Sequence, residues 1–233
     1  MIASYDPVAF AISETWLVPG SRFRVSGYSC LRDDRGDGYA GAALLIKSSV
    51  TFTRLSLPPF PTSINAVAAK IRDISVLSIY ISDSHAVHIS DLEPILSSLS
   101  GSFLILGDFN CHHLMWGSAD YDILACDLVD LMEDKNICLL NDGSPTRRTA
   151  PGKNASAVDL SLCSPNFGTL LSWSVLHDSY GSDHLPILIS CPTSFTQPKS
   201  QLSSRSYLLS KADWEQFAKD CDAFVNKFPV LSQ

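Results

Sequence analysis

Short apolar runs separated by polar, glycine-containing turns dominate the first 190 residues of the chain. Runs of this length that are rich in Ile, Val and Leu predict buried strands. Apolar residues at helical spacing instead predict helices over residues 88–99 and 122–135. We expect strands at residues 8–13, 42–46, 65–71, 74–81, 103–106, 137–140, 157–163, 170–175 and 184–190.

The alternation of many strands with two helices predicts a mixed α/β sheet architecture in one domain, residues 1–191. Residues 193–206 are rich in Ser, Thr, Gln and Pro, as a linker would be. Residues 211–225 then predict an amphipathic helix. We therefore interpret residues 192–233 as a linker and helix that lead toward a further domain.

Composition narrows the class of protein. The 233 residues are 45% hydrophobic and 18% charged, which is typical of a folded protein. The net charge of −7 argues against a non-specific nucleic-acid coat protein, although acids clustered around a metal in a nuclease would also lower the charge. The apolar runs are too short to cross a bilayer, and we expect no membrane partner. Seven cysteines without zinc spacing favour reduced thiols.

Gly-Asp-Phe-Asn at residues 107–110 directly follows an apolar strand, and this is where open sheets place their chemistry. Alternate residues of a strand face the same side, so Asp108 and Asn110 are expected to point at one substrate atom. Asp and Asn are also favoured in simple turns. Phe109 between them is expected to face the core, which favours the functional interpretation.

Two further polar residues end predicted strands. Glu14 is either a ligand for a hard cation such as Mg²⁺ or a turn cap. Tyr80 can donate its hydroxyl to a phosphate, although a core aromatic residue with a solvated tip is the commoner outcome.

Asp159 lies inside an apolar strand, where a carboxylate is costly unless it is paired. Its partner can be His184, since a buried Asp that orients an imidazole is familiar in enzymes, or it can be satisfied by backbone donors. Asp183 and His184 are adjacent at a strand entry and are expected to face opposite sides and serve different partners.

The remaining candidates are basic or imidazole side chains. His112 and His113 are adjacent and lack a third ligand at zinc spacing, so zinc is disfavoured. Arg147 and Arg148, with Lys153 nearby, form the basic patch closest to the other candidates in chain order. They are either a solvated loop or contacts to phosphate.

Together these motifs resemble the endonuclease/exonuclease/phosphatase superfamily, and more narrowly the apurinic-like endonuclease domain of non-LTR retrotransposons. The resemblance spans about residues 8–190. It is carried by Ser-Glu-Thr-Trp-Leu at 13–17, Gly-Asp-Phe-Asn-Cys-His-His at 107–113 with Trp-Gly at 116–117, Val-Asp-Leu at 158–160, and Gly-Ser-Asp-His-Leu-Pro-Ile at 181–187.

The resemblance implies a DNase I-like, four-layered α/β sandwich that uses Mg²⁺, with Mn²⁺ as a substitute, to hydrolyse a phosphodiester of double-stranded DNA. It also implies a nick that primes reverse transcription by a fused reverse transcriptase. By position, Glu14 binds the metal and Asp183 helps to hold its surroundings. Asp108 activates water, Asn110 orients the nucleophile and phosphate, and Tyr80 contacts phosphate.

The same carry-over makes His184, supported by Asp159, a contact to the scissile phosphate. His113, Arg147 and Arg148 are the candidate substrate-binding residues. Nuclear action would follow from the resemblance, but the sequence contains no Lys/Arg-rich import signal.

The sequence departs from the family pattern at its start. Such domains begin with an extra strand ending in an Asn that helps to organise the metal, and the strand before Glu14 is the first one here. We therefore expect the first strand to be missing and the chain to be a fragment. Two alternatives stay open: an impaired relic that only binds nucleic acid, and a phosphomonoesterase of the same superfamily.

Overall fold

A computed structural model describes residues 1–148 and 156–191, together with Trp214, Gln216 and Lys219. The chain divides into two units, Met1–Thr193 and Ser194–Gln233. The described residues of the first unit form helices α1 (Ile2–Tyr5), α2 (Ile89–Ser97) and α3 (Ile123–Asp134), and strands β1 (Ala9–Ser13), β2 (Tyr28–Asp33), β3 (Ala42–Lys47), β4 (Phe52–Leu55), β5 (Ile64–Ile71), β6 (Ile74–Ile81), β7 (Ser102–Asp108), β8 (Cys138–Leu139), β9 (Asp159–Cys163), β10 (Ser172–Val175) and β11 (Ile187–Ser190).

The central sheet has six strands in the order β4-β5-β6-β7-β9-β8. Strands β6 and β7 are parallel, and the other neighbours are antiparallel. A parallel pair needs a crossover, and the chain between β6 and β7 contains α2. The register sets Asp108 of β7 opposite Tyr80 of β6 on one side and Asp159 of β9 on the other. Three polar side chains therefore meet at one end of the sheet.

Two apolar clusters cover the two faces of this sheet. Helices α2 and α3 pack on one face, where the cluster includes Leu92, Leu128, Leu77 and Leu160. The three-stranded sheet β1-β3-β2 packs on the other face, and there Leu44 of β3 joins residues of β5 and β6. The core residues of the central strands therefore alternate between a helical layer and a second sheet.

The β10–β11 hairpin is a third, two-stranded sheet. The indole Nε1 of Trp173 donates to Oγ of Ser161 at 3.1 Å, which ties the hairpin to β9. Ser161 alternates with Leu160 and Leu162, both of which pack in the cluster with the helices. The hairpin therefore contacts the face of β9 opposite the helical layer.

Most predicted elements are present, with shifts of a few residues at their ends. The β5–β6 hairpin turns at Arg72, whose φ is 54°, and α3 begins after Asp122, whose Oδ1 accepts from the backbone N–H of Ala125. Strands β2 and β4 were not predicted. Arg32 and Asp33 are the last residues of β2, and both pair with β3.

The predicted helix over residues 211–225 is described only at three positions. Trp214, Gln216 and Lys219 are helical, and the other residues of this prediction lie outside the described residues. The domain division at residue 191 and the fused reverse transcriptase stay predictions.

Two negative findings apply to the described residues. None of their helices is long and apolar enough to span a membrane. All six of their cysteines are free thiols, as expected for reduced cysteines.

Gly107 is required where β7 pairs with β6. A Cβ at this position would lie 1.7 Å from the carbonyl oxygen of Ile79, a backbone atom that cannot move aside without breaking the sheet. We expect Gly107→Ala to lower the free energy of unfolding by about 3 kcal/mol, measured by urea denaturation. Gly36→Ala is the matched control, because a Cβ there meets nothing within 4 Å. Equal stability of the two variants would contradict this packing.

Candidate active site

Asp108 is the centre of the site. It ends β7, and its residue is only 1% exposed. The backbone N–H of Asp108 donates to Oγ of Ser13 at 3.2 Å, and the Ser13 hydroxyl in turn donates to the carbonyl oxygen of Ile79 at 3.4 Å. The end of β1 is thereby fastened to the ends of β6 and β7. The backbone that carries the Asp108 carboxylate is therefore fixed by contacts among β1, β6 and β7.

Asn110 lies beside Asp108, but not through strand alternation as predicted. Strand β7 ends at Asp108, and Asn110 has a left-handed φ of 47°. Its backbone N–H donates to Oδ1 of Asp108 at 2.9 Å, which closes a short Asp turn. Its side-chain Nδ2 donates to Oδ2 of Asp108 at 3.2 Å and to the carbonyl oxygen of Ile81 at 2.9 Å. The turn, with Phe109 fully buried beneath it, brings the two side chains together.

Asp159 and His184 form a hydrogen-bonded pair, as one of the two interpretations of the sequence predicted. Nδ1 of His184 lies 2.8 Å from Oδ2 of Asp159, and Nε2 lies 3.9 Å from Oδ2 of Asp108. The imidazole therefore bridges the two carboxylates. Asp159 itself is fixed by Thr146, whose Oγ1 accepts from its backbone N–H at 3.2 Å, and by Asn141, whose Nδ2 donates to its carbonyl oxygen at 2.9 Å.

Asp108, Asp159 and His184 are close enough to share an ion. One ligand atom from each lies within 4.8 Å of the others. Within the part of the chain that the structure describes, no other group of three His, Cys, Asp or Glu side chains meets this condition. The arrangement concentrates negative charge at a buried point, because two carboxylates face one another across the β7–β9 register.

This crowding shifts the pKa values of the group. Burial, followed by the charge of Asp159, raises the pKa of Asp108 to about 7, even though His184 lowers it. Burial alone would lower the pKa of His184. The hydrogen bond and charge of Asp159, with the charges of Asp108 and Asp183, more than offset this and raise it to about 9. At neutral pH the imidazole therefore carries a positive charge next to Asp108.

Glu14 and Tyr80 extend the site on the side of β1 and β6. The Tyr80 hydroxyl donates to Oε1 of Glu14 at 2.7 Å, and the Tyr80 side chain is buried. Burial and the Glu14 carboxylate raise the pKa of Tyr80, so this hydroxyl stays protonated. Glu14 also contributes to the raised pKa of Asp108, which places its charge near the central carboxylate. Tyr80 holds Glu14, and its predicted contact with phosphate stays a prediction.

Asp183 serves a different partner from His184, as adjacent residues on an extended chain should. Its Oδ2 accepts from Nε and Nη2 of Arg147 at 3.1 and 3.0 Å, and its carbonyl oxygen accepts from the backbone N–H of Arg148. Burial opposes the shift, but the hydrogen bond from Arg147 lowers the pKa of Asp183. Asp183 is thus paired with an arginine and does not belong to the group of possible metal ligands formed by Asp108, Asp159 and His184. Arg147 and Arg148 are exposed, and Lys153 lies outside the described residues.

The loop after Asn110 is held by its own side chains. Nδ1 of His113 accepts from the backbone N–H of Met115, and the imidazole lies 5.2 Å from the ring of the fully buried Trp116. Nδ1 of His112 contacts Oγ of Ser118 at 3.3 Å. Neither histidine belongs to the group of possible metal ligands formed by Asp108, Asp159 and His184. The contacts of His113 are structural, and its role in substrate binding stays a prediction.

Two residues that support the site were missed by sequence reasoning. Thr146 is completely buried and accepts from the backbone N–H groups of both Val158 and Asp159. Asn141 bonds β9 at Asp159 and Ser161. Both lie in a polar loop where Thr and Asn are common, so the sequence contains no signal that separates them from ordinary turn residues.

Comparison with known families supports the motif-based resemblance. Residues 74–188 match the family model described as "Endonuclease-reverse transcriptase". The "Probable RNA-directed DNA polymerase from transposon X-element" of Drosophila melanogaster is 27% identical over 177 residues, which cover 72% of this chain and 19% of that protein. The chain therefore spans less than a fifth of the length of this curated relative.

Solved structures show the same fold. The "Endonuclease domain of TRAS1, a telomere-specific non-LTR retrotransposon" superposes with a TM-score of 0.66 at 22% identity, covering 82% of this chain and 89% of that one. The "3'-5' exonuclease (NExo) from Neisseria Meningitidis" gives 0.62 at 18% identity, covering 82% and 91%. These likenesses establish a DNase I-like fold with mixed α/β sheets.

The resemblance inferred from the motifs is thus confirmed. Residues 74–188 are similar to the endonuclease-reverse transcriptase family over just under half of the chain. The matched segment contains Tyr80, Asp108, Asn110, Asp159 and His184.

The Asp159–His184 pair can be tested directly. We expect NMR titration of the metal-free protein to give His184 a pKa of about 9, and Asp159→Asn to lower it by removing the largest favourable partner. Because the pKa in the folded protein exceeds the usual 6.5, the pair stabilises the fold fully below about pH 6.5, and this contribution disappears as pH rises through about 9.

Asp73→Asn is the control for this titration, because Asp73 lies in the β5–β6 turn, at the opposite end of β6 from Tyr80. A His184 pKa that does not respond to Asp159→Asn would mean that the pair does not form in solution.

Proposed function

We propose that this domain is a DNA endonuclease that requires a divalent cation, Mg²⁺ or in its place Mn²⁺, to hydrolyse a phosphodiester. The observation that carries the proposal is the buried carboxylate of Asp108, which shares one sheet end with Asp159, His184 and Asn110. The match of residues 74–188 to the endonuclease-reverse transcriptase family model supports the same conclusion.

The donor set fits a hard cation. Glu14, Asp108 and Asp159 supply carboxylate oxygens, and Asn110 can supply its amide oxygen because its Nδ2 is occupied by two acceptors. Burial, followed by the charge of Asp159, raises the pKa of Asp108, and the charge of His184 does not offset these two effects. We infer that Glu14 and Asp108 hold the cation. When bound, such a cation polarises the phosphate and stabilises its developing charge.

The protein groups have separable tasks in this chemistry. Asp108, with a pKa of about 7, is suited to accept a proton from an attacking water at neutral pH. Asn110, anchored to Asp108 and to β6, orients that water and the phosphate. His184 is positively charged at neutral pH and donates from Nε2 to the phosphate. Asp159 fixes the orientation of the charged imidazole by accepting a hydrogen bond from Nδ1.

The surrounding residues act through these groups. Tyr80 positions Glu14, and Ser13 positions Asp108. The ion pair with Asp183 holds Arg147 at an exposed position in the segment that pairs with His184, where Arg147 and Arg148 can contact DNA phosphates. We assign Asp183 to the positioning of Arg147 and not to the metal.

The proposed biological role is inferred from the described role of the relatives. The curated relative is described as an RNA-directed DNA polymerase of a transposon, and a nick in double-stranded target DNA would supply the 3′ hydroxyl that such a polymerase extends. We infer that the domain has the architecture of a four-layered α/β sandwich. We also infer that a reverse transcriptase is fused to this domain in the whole element, and that the domain acts in the nucleus.

Plasmid nicking tests the activity. With Mg²⁺, the protein is expected to convert supercoiled plasmid to the nicked form, and Asp108→Asn and His184→Ala should each slow this by about 100-fold or more, because each removes a group that acts on the reacting atoms. Asp73→Asn should nick at the rate of the unchanged protein. Equal nicking by all variants would refute the site. Release of phosphate from monoesters without nicking would instead indicate a phosphomonoesterase.

Thermal unfolding tests the cation separately from the chemistry. Mg²⁺ at ten times its Kd should raise Tm by about 3 °C or more, because the ion binds only the folded site. Asp108→Asn should abolish this rise. In EDTA at pH 8 the same variant should be at least as stable as the unchanged protein, since a buried carboxylate facing Asp159 is replaced by a neutral amide. Loss of stability in EDTA together with an undiminished response to Mg²⁺ would contradict the assignment.

A further inference from the structure

An exposed pair of aromatic rings lies directly beside the site. Trp16 is 61% exposed and Tyr39 is 67% exposed. Their ring centroids are 5.9 Å apart, with an interplanar angle of 64°, so the edge of one ring meets the face of the other. Packing against one another leaves much of both rings in contact with solvent. No role in the proposed chemistry accounts for this pair.

The backbone around Trp16 is strained in a way that presents its ring. Glu14 and Trp16 have left-handed φ values of 51° and 54°, which a non-glycine residue adopts only when its surroundings enforce it. The backbone N–H groups of Thr15 and Trp16 donate to the carbonyl oxygens of Gly41 and Ala40. These bonds enforce the conformation, in which Glu14 reaches Tyr80 and Trp16 reaches solvent.

Gly41 allows this close approach. A Cβ at Gly41 would lie 2.3 Å from Oγ1 of Thr15, and the φ of Gly41 is 113°, so any other residue here would displace the Thr15 side chain and strain the backbone. Ala40 and Ala42, on either side of Gly41, are buried in a small cluster with Tyr80. Tyr39 therefore directly precedes this buried cluster, and Trp16 is two residues from Glu14. The aromatic pair thus lies beside Tyr80 and Glu14 of the site.

Positive charge alone does not explain how DNA would bind on this side of the site. The chain carries a net charge of −7. Arg35 contacts the carbonyl oxygen of Tyr39 but is paired with Asp37, and Arg147 is paired with Asp183. Aromatic side chains supply a different kind of contact, because every nucleobase has a flat face on which a ring can stack whatever the sequence.

We propose that Trp16 and Tyr39 form a stacking platform for a base next to the scissile phosphate, so that the enzyme prefers DNA in which a base is already unstacked. The inference rests on the proposed function. In a regular duplex the base faces are covered by their neighbours, and a base must leave the stack before a ring can contact it. A bulge or gap removes that cost and exposes the face that the platform binds.

The test compares binding of two DNA duplexes by fluorescence anisotropy in EDTA: a regular 30-base-pair duplex, and the same duplex with two unpaired nucleotides. We expect the unchanged protein to bind the bulged duplex about 10-fold more tightly, and Trp16→Gly combined with Tyr39→Ser to remove this preference. Trp16→Phe should retain most of it, because a ring is still present.

Glycine is chosen at position 16 because it tolerates the left-handed φ, so the variant loses the ring without added backbone strain. Its Tm should not fall below that of the unchanged protein. Tyr5→Ala is the matched control, since Tyr5 is a 43% exposed aromatic residue before the start of β1, whereas Glu14 follows its end.

The outcomes separate the two proposals. A folded double variant that keeps the preference, or an unchanged protein that has none while still nicking plasmid, would overturn the platform but leave the endonuclease intact. Absence of nicking by the unchanged protein would refute the endonuclease itself. A preference lost equally in Tyr5→Ala would show a general effect of exposed rings and would also overturn the platform.

Discussion

The buried carboxylate of Asp108 is the group on which the arrangement of the site depends. The sheet register sets it opposite Asp159, and burial leaves little solvent to separate the two charges. A protein interior disfavours such a pair unless positive charge is supplied. His184 supplies part of it from a position between the two carboxylates. The rest of the imbalance is what makes this sheet end suited to a cation and a phosphate.

The fold maintains this unfavourable cluster by fixing each member through backbone contacts. Ser13 bonds the N–H of Asp108, Thr146 bonds the N–H of Asp159, and Asn110 closes a turn on the Asp108 carboxylate. None of these contacts neutralises the charge. Ser13 and Thr146 fix the backbone from which the two carboxylates project, and Asn110 holds the Asp108 carboxylate itself, so stability and function are set against each other at this point in the sheet. The left-handed conformations of Glu14 and Trp16 are a second local cost in free energy, next to the same site.

Much of this could be predicted from the sequence where local patterns decide the structure. The β5–β6 hairpin and α3 follow from periodicity. Asp108 and His184 stood out as polar groups at the ends of apolar strands, and Asp159 stood out as a carboxylate inside one. Strand β2 was missed because its Tyr-Ser-Cys-Leu-Arg-Asp sequence has weak alternation and is stabilised by pairing with β3. The bond between Tyr80 and Glu14 joins residues 66 positions apart, and no local pattern encodes such a contact. Asn110 lies next to Asp108 for a different geometric reason from the one predicted, because a turn and not strand alternation brings it there.

The most direct measurement of the central claim is a crystal structure of the protein grown or soaked with Mn²⁺, whose anomalous scattering locates the ion without reference to the protein model. The account predicts a single strong anomalous peak in contact with the Asp108 carboxylate, on the side facing Glu14. A well-ordered site without such a peak at millimolar Mn²⁺, or an ion bound only to residues elsewhere in the domain, would contradict it.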